Sequence, residues 1–212
     1  MPFYKKIEID SKTTTLVWKI TETFSDLFQA VSLKDTSLAR LEGMKSESHQ
    51  NGFLAVRMLL QQAGYTDFDL FYDAFGKPHL KDGTRISISH SHDFSVLVLS
   101  DKNIGIDLEL RRELVIKIAR KFAAEEFVFQ AEHDSTDFMR KLTVIWGVKE
   151  AVFKVRNEVG ISFKDHVFVR PFEIEDKKTT ALLDFNGVKQ EFIVYFTEIE
   201  SYTLVWLWET QE

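Results

Sequence analysis

Three local patterns bring chemistry-bearing side chains together. The first is Asp107-Leu-Glu109. In an extended segment, residues i and i+2 point to the same side, about 7 Å apart. Two carboxylates that close repel each other unless a cation lies between them. Oxygen donors in a chain without Cys suit a hard ion such as Mg2+. Alone, the pair more often describes an exposed strand face with ordinary acids. The second pattern is Trp146-Gly-Val-Lys149-Glu150-Ala-Val-Phe-Lys154. Helical spacing sets Glu150 one turn from Lys154 and aligns Trp146 with Lys149, Glu150 and Phe153. This is either a solvated helix edge beside a core Trp, or a third carboxylate with two ammonium groups beside a bound polyphosphate. The third pattern is Ile86-Ser-Ile-Ser89-His90-Ser91-His92, whose hydroxyls and imidazoles suit phosphate oxygens. His90 and His92, two apart on a strand, are alternatively a pair of metal ligands, but no third His pattern follows them.

Secondary structure must bring these patterns together. Thr13 to Thr15 followed by Leu16, Val17, Trp18 and Ile20 reads as a strand. Residues 46–63 read as a helix: Ser46 and Ser48 are candidate N-caps, Phe53, Val56, Leu60 and Ala63 recur at helical spacing, and Gly64 follows as a stop. Short strands are expected at about 68–72, 86–90 and 95–100, with a turn at Phe75-Gly-Lys-Pro78. Residues 103–110 alternate Ile104, Ile106, Leu108 and Leu110 with Gly105, Asp107 and Glu109, a strand with one apolar and one acidic face. The next 45 or so residues read as helical, with Leu114, Ile118 and Phe122 on one face and Leu142, Ile145, Trp146, Lys149 and Phe153 on another. Asn186-Gly187 marks a hairpin in a strand-rich tail. Helices followed by strands in both halves suggest a duplicated α+β unit with a central cleft.

The 212 residues suffice for a full core. Zero Cys excludes disulfides, thiolate catalysis and Cys-based zinc sites. The N-terminal residues lack a signal-type apolar segment and no apolar run approaches a membrane span, so a cytoplasmic protein without a membrane partner is expected. A net charge of −6 argues against a nucleic-acid binder.

Taken in order, Phe75-Gly-Lys-Pro78, Ile88-Ser-His-Ser91, Ile104-Gly-Ile-Asp-Leu-Glu109 and the run from Trp146 to Lys154, followed by Gly160-Ile-Ser-Phe163, resemble the 4′-phosphopantetheinyl transferases of the two-lobed, single-chain type. The core matches span residues 75–163. The resemblance implies an α+β, pseudo-duplicated fold with lobes 1–102 and 103–212 packed as one unit, and an active site in the cleft between them. It implies transfer of the phosphopantetheine arm of coenzyme A to a serine of an acyl or peptidyl carrier protein, with release of adenosine 3′,5′-bisphosphate. Asp107, Glu109 and Glu150 are then the Mg2+ ligands. Lys149 and Lys154 lie beside the phosphates, with Lys154 also counted among the catalytic residues. Lys77, Ser89 and His90 contact coenzyme A.

For the serine proton the candidates are Glu150 and an acid of Phe122-Ala-Ala-Glu125-Glu126, where Glu126 is preferred to Glu125. The family usually carries a basic residue about two turns before the position of Arg57. Here that place falls on His49, so His49 or Lys45 is expected at the 3′-phosphate. Arg57 is either a coenzyme contact or a structural ion-pair partner.

Arg111, Arg112, Lys117, Arg120 and Lys121 against Glu113 form a basic patch that is either a solvated face or a docking surface for an acidic carrier. A monomer is expected. The competing readings are a Mg2+-dependent nuclease or phosphatase, and a non-catalytic homologue that binds coenzyme A or a carrier.

Overall fold

The structure, a computed structural model, describes residues 3–124, 126 and 135–210. The chain divides into two compact units, Met1–Lys102 and Asn103–Glu212.

In the first unit, β1 (Phe3–Asp10) and β2 (Thr13–Lys19) form a hairpin, followed by α1 (Phe24–Gln29), α2 (Asp35–Glu42) and α3 (Glu47–Gln62). The chain then forms a small hairpin of β3 (Leu70–Tyr72) and β4 (Pro78–Leu80), and finally β5 (Arg85–Ser91) and β6 (Phe94–Ser100). The main sheet is antiparallel in the order β1-β2-β6-β5. Ala55, Leu59 and Leu60 of α3 pack on Leu16, Trp18, Ile86 and Leu97 of that sheet, and Leu70 and Leu80 of the small hairpin join the same cluster. Each such aliphatic side chain, once buried, stabilises the unit by roughly 1.5–3 kcal/mol. Phe53 and Leu54, on another side of α3, meet Leu27 of α1 and Leu41 of α2. Gly64, at φ 83°, turns the chain out of α3. Ser46 occupies the N-cap position without a side-chain capping bond.

In the second unit, β7 (Ile104–Leu110) is followed by α4 (Leu114–Ile118), a 3-10 turn at Ala119–Lys121, and the 22-residue α5 (Ser135–Arg156). Then come α6 (Phe163–His166), β8 (Val167–Val169), β9 (Lys178–Phe185), β10 (Val188–Ile199) and β11 (Tyr202–Glu209). The sheet is antiparallel in the order β7-β11-β10-β9-β8. Asn186 (φ 51°) and Gly187 (φ 77°) close the β9–β10 hairpin, as the dipeptide predicts. Leu142, Ile145, Val148, Val152 and Val155 of α5 pack on Leu183, Phe192, Val194, Val205 and Leu207 of the sheet.

The architecture is mixed α+β. One expectation fails after β7. Leu114, Ile118 and Phe122 do not share a buried face, because α4 ends at Ile118 and the next turn is 3-10. The buried positions are Val115, Ala119 and Phe122, whereas Leu114 is 44% exposed.

Candidate active site

Two glycines set how closely α5 packs on the sheet, Gly105 at the contact with β7 and Gly147 at the contact with β11. A Cβ at Gly105 would lie 2.2 Å from the carbonyl oxygen of Ala151, and one at Gly147 would lie 2.8 Å from Cγ2 of Val205. Helix and strand therefore meet closer than side chains permit. That approach explains why Asp107, expected on an open strand face, is 3% exposed. Its Oδ2 lies 3.5 Å from where a Gly147 Cβ would stand.

Lys154 reaches across to donate to Asp107 Oδ1 at 2.7 Å and to the carbonyl of Ile106 at 3.0 Å. Glu109, two residues along β7, accepts from the indole N–H of Trp146 at 3.1 Å. The Trp146 ring is held edge-on by Phe122 and Phe163, with centroids at 5.0 and 5.7 Å. Burial and the charge of Asp107 push the Glu109 carboxyl up to about 7, with Glu150 adding to the effect. The Glu150 carboxyl is also raised, first by burial and then by Asp107, with Lys154 opposing.

The charge of Asp107 thus acts on both Glu109 and Glu150. Among the described residues, no group of three His, Asp or Glu side chains is placed to hold a metal ion. In its chemistry, though not in its present geometry, the donor set is of the kind a hard divalent cation takes. It offers oxygen alone, and its carboxylates, desolvated and mutually repelling, gain most from a positive charge. Lys154 provides that charge for Asp107 in this structure.

Lys149 and Glu126 lie differently from expectation. Lys149 is 0% exposed, and its ammonium donates to the carbonyls of Phe163 and Val167 and pairs with Glu126 Oε1 at 2.8 Å. Burial pushes this ammonium down, against the pull of Glu126. Glu126, 3% exposed, also accepts from the backbone N–H groups of Ala124 and Val169 at 3.0 and 3.1 Å. Three ammonium donors meet three oxygens, so Lys149 has no donor left for a phosphate. The Glu126 oxygens are likewise committed, which removes the geometry expected of a base for an incoming serine. The alternative Glu125 lies outside the described residues.

In the first unit, His49 at the start of α3 and His90 near the end of β5 come together, with ring centroids 5.8 Å apart. Gly52 makes room for them: a Cβ there would lie 3.1 Å from Cγ of His90. Both imidazoles are exposed, as is Lys45 just before α3. Ser89 is adjacent to His90 in sequence but lies on the opposite face of β5 and is 8% exposed. The two side chains expected as a pair therefore diverge.

Arg57 is a structural ion-pair partner, not an accessible coenzyme contact. It is 2% exposed, donates to Asp67 Oδ1 at 3.0 Å and to the Phe53 carbonyl at 3.2 Å, and lies 3.4 Å from the Phe53 ring centroid. Asp67, which sequence reasoning passed over, also accepts from the Ser37 hydroxyl and the Lys34 N–H, each at 3.0 Å. Lys77 is half-buried on the loop between β3 and β4.

The second unit thus combines a strand-borne Asp-x-Glu, a helix-borne Glu and a lysine bridging from helix to strand. Residues 103–204, most of the second unit, match the family model described as the 4′-phosphopantetheinyl transferase superfamily. Over 126 residues the chain is 25% identical to the 4′-phosphopantetheinyl transferase gsp of Aneurinibacillus migulanus, covering 59% of this chain and 51% of that protein. The chain therefore spans about half the length of the curated relative it matches.

Proposed function

We propose that this protein transfers the 4′-phosphopantetheine arm of coenzyme A to a serine hydroxyl of an acyl or peptidyl carrier protein, with Mg2+, releasing adenosine 3′,5′-bisphosphate. The observation that supports the reading is the pairing of Lys154 on α5 with Asp107 on β7, beside Glu109 held by Trp146, within residues that match the superfamily model. Asp107, Glu109 and Glu150 would hold the ion, and a divalent cation bound there neutralises diphosphate charge.

In the transfer, the serine oxygen bonds to the phosphorus that carries the pantetheine arm. The phosphoanhydride bond breaks, and its bridging oxygen departs with the bisphosphate. Glu150, the helix-borne carboxylate of the cluster, is assigned the serine proton. Lys154 is assigned to the phosphate charge. His49, His90 and Lys77 are assigned to coenzyme A, and Ser89 contributes through its strand rather than through the His90 face. Lys149, Glu126 and Arg57 are left to hold the fold.

For the carrier we assign the α4 region. Arg111 is drawn into the turn before β11, where it donates to the carbonyls of Tyr202 and Glu200. Arg112, Lys117, Arg120 and Lys121 remain exposed around Leu114. A cavity of about 110 Å3 lined by Arg112, Leu114, Ile118, Trp146 and Glu109 joins this surface to the acidic cluster. Basic charge around an apolar recess suits an acidic partner helix.

The test is mass spectrometry of purified apo-carriers incubated with the protein, coenzyme A and Mg2+. The expected result is one added phosphopantetheine on the carrier serine. Binding of coenzyme A with no carrier modified across acyl and peptidyl types would overturn the transfer reading.

A further inference from the structure

The loop between β3 and β4 is built around a carboxylate that none of the sequence motifs contains. Asp73 Oδ1 accepts the backbone N–H groups of Phe75 at 2.9 Å and Lys77 at 3.0 Å. Its Oδ2 lies 3.0 Å from Nε2 of His79, and that imidazole is stacked on Phe71, with centroids 5.3 Å apart and planes at 21°. The main chain closes the same loop: Asp73 N–H donates to the Lys77 carbonyl and Gly76 N–H to the Asp73 carbonyl, each at 3.0 Å. Gly76 supplies the left-handed φ of 85° that this turn needs.

His79 and the amides of Lys77 and Phe75 hold the Asp73 carboxyl below the usual carboxylate range, so it is a charged acceptor at neutral pH. Lys77 is thereby fixed from both sides. Asp73 holds its N–H, and Pro78 after it restricts its backbone to the extended region. The direction in which its side chain leaves the loop is set before any ligand arrives.

We infer that Asp73 is a positioning residue for coenzyme A: it sets the backbone of Lys77, and through that backbone the ammonium group. The inference rests on the transferase reading above and adds a residue to it. Pre-set geometry contributes affinity by removing ordering cost at the moment of binding. The effect belongs to ligand affinity and not to the chemical step.

The test compares wild type, Asp73→Ala, Asp73→Asn, Lys77→Ala and the Asp73→Ala/Lys77→Ala double variant. Calorimetry with coenzyme A, steady-state kinetics and hydrogen exchange at the Phe75 and Lys77 amides are the readouts. Asp73→Ala is expected to weaken coenzyme A binding and raise its KM roughly tenfold, with kcat and carrier KM within about twofold of wild type. Exchange at both amides should accelerate. Asp73→Asn keeps one oxygen for both N–H groups and should restore most of the affinity. In the Lys77→Ala background, Asp73→Ala should add little. Unchanged affinity in Asp73→Ala, a full additional loss on top of Lys77→Ala, or a fall confined to kcat would each overturn the inference while leaving the transferase reading intact. Wild-type protein that neither binds coenzyme A nor modifies a carrier would overturn both.

Discussion

Glu109 holds a carboxyl near neutrality in the folded protein, about 7 against an ordinary 4.5. The native state therefore binds more protons than the unfolded chain between those values, and stability falls as pH rises through that window. Glu109→Gln removes the titration and keeps an oxygen for the Trp146 indole. Its melting temperature, followed by calorimetry from pH 4 to 9, should exceed that of wild type by a few degrees above pH 7 and match it near pH 4. An equal shift at every pH would contradict this. Carrier modification by the same variant should fall at least about a hundredfold, and Asp107→Asn or Glu150→Gln should do likewise with a native circular dichroism spectrum. Strand spacing singled out Asp107 and Glu109 as neighbours, whereas the link to Glu150 came from the family resemblance and not from spacing. The place of Lys149 was not legible: a lysine beside a glutamate on a helix normally reaches water, and its burial depends on Glu126 and two carbonyls brought in from other segments.

The element that makes the site is the contact of α5 on β7. Gly105 and Gly147 are parts of motifs, yet their reason is steric, visible only once helix and strand are packed. Gly105→Ala drives a methyl group into backbone at Ala151. It should cost roughly 1–3 kcal/mol in denaturant titrations and reduce transfer by moving Glu150 and Lys154 relative to Asp107. Full stability and full activity in that variant would mean that the helix yields without consequence. Lys149→Met isolates a buried carboxylate and should destabilise by about 3–5 kcal/mol, and adding Glu126→Gln should recover much of that loss. The long elements were legible: α3, β7, the strands around residues 85–100 and the Asn186-Gly187 hairpin fall where periodicity and turn residues put them. Helices α1 and α2, of 6 and 8 residues, were too short for a periodic signal. Strand β1 alternates Ile7 and Ile9 with Lys6, Glu8 and Asp10, but Lys5 interrupts the apolar face and no position is fully buried, which leaves a weak signal.

Across the whole chain, net charge and local charge part company. The protein carries −6 overall, yet the segment after β7 presents Arg112, Lys117, Arg120 and Lys121 to solvent. Reversing Arg112 and Lys117 to Glu should raise the carrier KM roughly tenfold at low salt, less at high salt, and leave the KM for coenzyme A unchanged. An unaltered carrier KM would remove this surface from recognition. Asp107, Glu109 and Glu150 all lie in the stretch that the family model covers, which is why the resemblance pointed to them together. The first unit's contributions were less legible, since Arg57, Ser89 and His49 differ in burial for reasons of packing. The strand order of the first unit has one more consequence. β1 is the outermost strand of its sheet, and its charged side chains, with Lys6 and Glu8 paired at 2.8 Å, keep foreign strands from adding there. Replacing Lys6 and Glu8 by Val should turn a quiet margin into a nucleus for self-assembly, measurable as turbidity and thioflavin fluorescence during storage at concentrations where wild type stays clear.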